Sequence, residues 1–169
     1  MEKKQIIGLF VHNHPGVLLR VTSLISRRGF NIDSLTVSPA AVEGYSRMTI
    51  RINGDDGQVD QFINQMLKIV DVKKAEVLPE DASVASELIL IKISTKNTDS
   101  NEILGVTSQY HASLVNLGEN SMTFRASGTP EDIDSLVSEL RNYGILEMAR
   151  TGIAALEHGD KCLNSISNQ

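Results

Sequence analysis

The sequence has a single cysteine, no tryptophan, few aromatic residues and no long apolar run, and each shortage closes off a kind of chemistry. Cys162 cannot form an internal disulfide, and the polar stretch around it completes no metal or redox motif. No segment approaches the ~18 consecutive apolar residues of a membrane span. Met1-Glu2-Lys3-Lys4 leads into a strand-like pattern instead of a secretory leader, so a cytoplasmic protein is expected. Positive charge is also scarce. Sixteen Lys and Arg against 21 Asp and Glu give a net charge of -5, which leaves no electrostatic footprint for nucleic acid or anionic lipid. Four Phe and three Tyr are few for the stacking platform of an RNA-recognition sheet.

What remains is an ordinary globular composition, 41% hydrophobic and 22% charged, in 169 residues, enough for one domain or two small ones. Over residues 5–12, Ile7, Leu9 and Val11 alternate as in a half-buried strand. Asn13-His14-Pro15-Gly16 stops it, and Val17, Leu18, Val21, Leu24 and Ile25 then follow the period of one helix face, ending at Gly29. Residues 30–37 read as a second strand, residues 39–44 as a turn, and Ser46, Met48, Ile50 and Ile52 as the inner face of a third. Asp55 and Asp56 suit the start of a second helix carrying Val59, Phe62, Ile63, Met66 and Leu67, and residues 70–78 complete a fourth strand. This is the βαββαβ order of a ferredoxin-like domain.

After the polar break Pro79-Glu80-Asp81-Ala82-Ser83 the order repeats. Residues 88–93 are so apolar that both faces of that strand are expected to be covered. A weak helix over 99–110, strands at 111–117 and 121–126, a helix opened by Thr129 and Pro130, and strand material over 145–156 follow. The expected fold is therefore α+β, two ferredoxin-like domains in tandem over 1–79 and 84–160. Residues 161–169 form a polar tail, and 164–169 are expected to be poorly ordered.

The segment with chemical promise is Asn13-His14-Pro15-Gly16-Val17-Leu18. A helix start leaves amides unpaired at the positive end of the helix dipole, which suits a carboxylate. Gly16 would let a ligand approach the backbone, and Asn13 offers a donor and an acceptor to a zwitterion. Asn31, at the start of the second strand, adds another polar group. The same residues also read as an ordinary Pro-Gly turn and a strand end with no ligand. His12 and His14 share a two-residue spacing but have no Cys, Asp or Glu beside them to complete a metal site. Arg27-Arg28 suits the negative end of a helix dipole.

Asn13-His14-Pro15-Gly16-Val17-Leu18, Arg20-Val21, Arg27-Arg28-Gly29-Phe30-Asn31-Ile32 and Ser34-Leu35-Thr36 resemble the ACT domain of acetolactate synthase small subunits. Ser46-Arg47-Met48-Thr49-Ile50, Lys68-Ile69-Val70-Asp71-Val72, Leu90-Ile91-Lys92-Ile93 and Arg150-Thr151-Gly152-Ile153-Ala154-Ala155-Leu156 continue the resemblance in order and spacing. It implies a regulatory subunit, with catalysis, thiamine diphosphate, magnesium and FAD on a separate large subunit and no cofactor or metal in this chain. It also implies a homodimer with valine, or a related branched-chain amino acid, between paired ACT domains, at Asn13, Gly16, Val17, Leu18, Asn31 and Ile32. Leu19 stands where many relatives carry a small residue, which bears on valine selectivity. Tyr110-His111 and Phe124-Arg125-Ala126 depart from the family pattern, so the resemblance is thinner in the second half, and with it any leucine site there. An amino-acid-binding ACT protein acting on another partner is the alternative. An enzyme on the same scaffold is disfavoured, because no nucleophile with its base or paired carboxylates stands out.

Overall fold

A computed structural model describes residues 3–96 and 98–164. The chain forms two compact units: the residues up to Ala85 together with those from Ile153 onward, and Ser86–Gly152.

The first unit runs β1 (Lys3–His12), α1 (Val17–Arg27), β2 (Ile32–Pro39), β3 (Tyr45–Gly54), α2 (Asp56–Met66) and β4 (Val72–Val77). Its antiparallel sheet has the order β2-β3-β1-β4, so β2 and β4 are the edges. Strand alternation sends Ile7, Leu9, Val11, Met48, Ile50 and Ile52 to one face, where they pack against Val17, Val21 and Ile25 of α1 and Val59, Phe62 and Met66 of α2. Helix α2 opens with a capping box between Asp55 and Gln58, which satisfies two otherwise orphaned amides. Helix α1 closes on Gly29, whose φ of 75° is a left-handed conformation costly for other residues.

The second unit repeats the plan with β5 (Ser83–Ser94, entering it at Ser86), α3 (Ser100–Gln109), β6 (Ser113–Leu117), β7 (Ser121–Gly128), α4 (Pro130–Leu140) and β8 (Ile145–Arg150), in the order β6-β7-β5-β8. Thr129 caps α4 in a second capping box with Asp132, and Pro130 follows it. Arg150 bridges the buried Glu87 and Asp134. Burial acts to lower the Arg150 pKa, but the hydrogen bonds to Asp134 and Glu87 outweigh it and hold the guanidinium above its ordinary value.

Two expectations change. Strand β5 is not covered on both faces: Ile89, Ile91 and Ile93 are buried beneath α3 and α4, whereas Leu90 on the opposite face is 42% exposed. An apolar run does not reveal that the helices cover only one side. The second unit also stops short of residue 160. From Ile153 the chain runs through β9 (Ala154–Glu157) and packs on the helix-free face of the first sheet. There Ile153 and Ala155 are buried with Leu78, and Leu163 lies against Gly8, where an added Cβ would sit 2.9 Å from its Cδ2. Thr36 donates to the Ile153 carbonyl at 2.7 Å and Arg47 to that of Ala155 at 2.6 Å. The expected polar tail thus contributes a buried leucine. Asn164 lies in a turn, and the rest of the segment expected to be poorly ordered, 165–169, lies outside the described residues.

Candidate functional site

The connection between β1 and α1 is tied to its surroundings at four points. Asn13 N–H donates to the Gly44 carbonyl at 2.8 Å, fastening the loop to the β2–β3 turn. His12 N–H donates to the Asp71 carbonyl at 2.9 Å. The Asp71 carboxylate, its side chain only 7% exposed, accepts from His14 Nε2 at 2.8 Å and from Arg20 Nη1 at 2.5 Å. A carboxylate this withdrawn from water is costly unless paired, and both of its oxygens are. Phe10, Tyr45 and His12 stack in series beside the loop, with centroids 4.6 and 4.8 Å apart.

Gly16 is the N-cap of α1 with φ 91°, a left-handed conformation that strains any side-chain-bearing residue. The helix has no side-chain cap and no acid in its first turn, so neither a protein hydroxyl nor a carboxylate competes for its leading amides. Asn13 is exposed. Leu18 and Leu19 are 41% and 69% exposed at the start of α1. Val17 is different: its side chain is buried in the core with Val21 and Ile25, so only its backbone faces the loop.

Asn31 and Ile32 lie at the other end of α1. Asn31 is exposed and its Nδ2 approaches Asp33 Oδ1 at 3.4 Å, an oxygen that Asn53 also approaches at 3.3 Å. Ile32 is half-buried against the core. Eleven helical residues span about 16 Å at 1.5 Å each, so one chain does not bring these two groups of residues together. Sequence reasoning did not single out Asp71. The available signal was a lone acid between Val70 and Val72, at the head of a strand. Among the described residues no three His, Cys, Asp or Glu side chains cluster as metal ligands, and no helix is long and apolar enough to cross a membrane.

Residues 7–74 match the acetohydroxyacid synthase small subunit-like ACT domain, and residues 86–159 match the small subunit of acetolactate synthase. The acetolactate synthase small subunit of Mycolicibacterium smegmatis is 38% identical over 92% of this chain and 91% of that protein. The chain belongs to the acetolactate synthase small-subunit family. A probable small subunit from Archaeoglobus fulgidus is 39% identical over 94% of this chain and 99% of its own length. The crystal structure of the Thermotoga maritima acetolactate synthase small subunit matches with a TM-score of 0.87 at 29% identity, covering 94% of this chain and 99% of that one. Family membership places the protein among regulatory subunits and not among catalytic ones. The family match extends through β9, so Ile153 and Ala155 of the segment that returns to the first sheet lie within it.

Proposed function

We propose that this small subunit is the feedback sensor of acetolactate synthase in branched-chain amino acid biosynthesis. It acts in the cytoplasm as a homodimer, binds valine or a related branched-chain amino acid between two ACT domains, stimulates the catalytic large subunit and makes it inhibitable. Thiamine diphosphate, magnesium and FAD belong to that partner, and this chain carries no cofactor.

The observation that carries the reading is the separation of the two half-sites at opposite ends of α1. Strand β2 is a sheet edge, and Val37 on it is exposed, as are Leu18 and Leu19 on the neighbouring helix. Two copies related by a two-fold axis with their β2 edges antiparallel would set the Asn13–Gly16 loop of one beside Asn31 and Ile32 of the other. The helix start receives the valine carboxylate, Asn13 and Asn31 its polar groups, and Leu18, Leu19 and Ile32 its isopropyl group. Leu19 narrows the apolar end, which favours valine over longer side chains. Val17 contributes backbone only. Valine changes activity because it binds one arrangement of the dimer better than another, since equal affinity would shift nothing.

The test is acetolactate formation by the same organism's catalytic subunit, alone and with this protein, with and without valine. Stimulation by the protein and its reversal by valine are expected. Stimulation that valine leaves untouched would remove the effector assignment, and no stimulation at all would point to a different partner.

A further inference from the structure

Among the described residues the Asp71 carboxylate is the buried acid that touches the candidate effector loop, and it joins three elements that a ligand would have to keep in register. It sits in the turn between α2 and β4. One of its oxygens takes His14 of the loop and the other takes Arg20, one turn into α1, while its main-chain carbonyl holds the amide of His12. The loop is otherwise tied through its backbone, by the Asn13 amide on the Gly44 carbonyl and the Arg20 amide on that of Gly16, and Pro15 has no N–H to offer. Two charge-assisted hydrogen bonds on a desolvated carboxylate are stronger than the neutral bonds elsewhere in the loop.

His14 links Asp71 to the loop backbone: its Nε2 faces the Asp71 carboxylate at 2.8 Å and its Nδ1 faces the Pro15 carbonyl at 3.1 Å.

We propose that Asp71 is a positioning residue for effector binding, holding the Asn13–Gly16 loop through His14 and Arg20. This deepens the effector reading above and rests on it. Asp71 touches no ligand. It acts by keeping the loop in the conformation that presents the α1 amides, so that binding does not first have to order the loop.

The experiment is calorimetric titration of valine into the full chain for the wild type, Asp71→Asn, Asp71→Glu and His14→Ala. Asp71→Asn should bind about tenfold more weakly or worse, the scale of losing a charge-assisted hydrogen bond, with Asp71→Glu recovering part of the loss. His14→Ala removes one arm and leaves the Arg20 arm, and should bind several-fold more weakly. A folded Asp71→Asn protein within twofold of the wild type would overturn the proposal while leaving valine binding itself intact. A wild type that binds no valine would overturn the effector reading and this inference together. If Asp71→Asn does not fold, His14→Ala decides alone, and an affinity within twofold of the wild type would overturn the proposal.

Discussion

Arg47 and Ala155, 108 positions apart, are joined by a 2.6 Å hydrogen bond from the guanidinium Nη2 to the main-chain carbonyl. Burial pushes the Arg47 pKa below its ordinary value, opposed by the negative charge of Glu157 on the same returning segment. Two stretches that each match the small-subunit family, around Arg47 and around Ile153, thus meet on the helix-free face of the first sheet.

Replacing Arg47 with Met keeps much of its apolar stem and removes the bond. The expected cost is about 1–2 kcal/mol, since hydrogen bonds to charged groups are among the stronger ones and this guanidinium is only half-buried. Limited proteolysis reads it directly. Trypsin should cut at Lys161, an exposed residue, faster in Arg47→Met than in the wild type. Equal rates would mean that Ile153, Ala155 and Leu163 hold the segment by apolar burial alone.

A substitution at Gly16 separates strain from charge. Gly16→Ala forces a side chain into φ 91° at a cost of about 1–2 kcal/mol, although the space around its Cβ is open, the nearest atom being an Arg20 nitrogen at 3.6 Å. Gly16→Asp adds an acid where the proposed effector would carry its carboxylate. Valine inhibition should weaken in the first and vanish in the second, both proteins remaining folded by circular dichroism. Inhibition retained in Gly16→Asp would move the carboxylate site elsewhere.

Local features were the most legible in the sequence. Thr129-Pro130, Asp55 and Gly29 announce helix ends because caps and left-handed turns are set by a few adjacent residues, and the structure places each where the pattern does. The βαββαβ order followed from hydrophobic period in the same way. Long-range decisions were not legible. The apolarity of Leu88, Leu90 and their neighbours gave no clue that one face of β5 stays open, and nothing local in Ile153, Ala155 and Leu163 says which sheet they will join. At the candidate site Gly16 stood out through its chemistry, whereas Val17 satisfied two patterns at once. Its spacing to Val21 and Ile25 is that of a core face, and the core claimed its side chain.

Tyr110 donates its hydroxyl to Glu139 Oε1 at 2.5 Å. That bond holds the phenol above its ordinary pKa, with desolvation and the Glu139 charge adding in the same direction. A raised pKa means that the folded form binds the proton more tightly. The contribution to stability is therefore present below the unfolded value and is lost as pH rises through the folded one. Ultraviolet titration should show one of the three tyrosines ionising later than the others, and Glu139→Gln should bring it back toward them. A wild-type titration with all three together would show that the bond does not persist in solution.

Gly105 sits inside α3, exposed, and a Cβ built on it meets nothing within 4 Å. Glycine in a helix interior costs roughly 0.5–1 kcal/mol relative to alanine, chiefly because the unfolded chain has more freedom to lose. Gly105→Ala should therefore raise the stability of the Ser86–Gly152 unit by about that amount, measured by urea unfolding with an unchanged slope. An unchanged or lowered stability would mean that a neighbour approaches Gly105 more closely than the structure shows. The same variant carries a second readout. If Gly105→Ala folds more stably yet no longer stimulates the catalytic subunit, a bare helix surface at Gly105 is what the partner needs, and the glycine is kept for a close approach across that interface. If stimulation is unchanged, the α3 surface at Gly105 lies outside the contact, and docking is to be sought on other faces such as the uncovered side of β5 around Leu90.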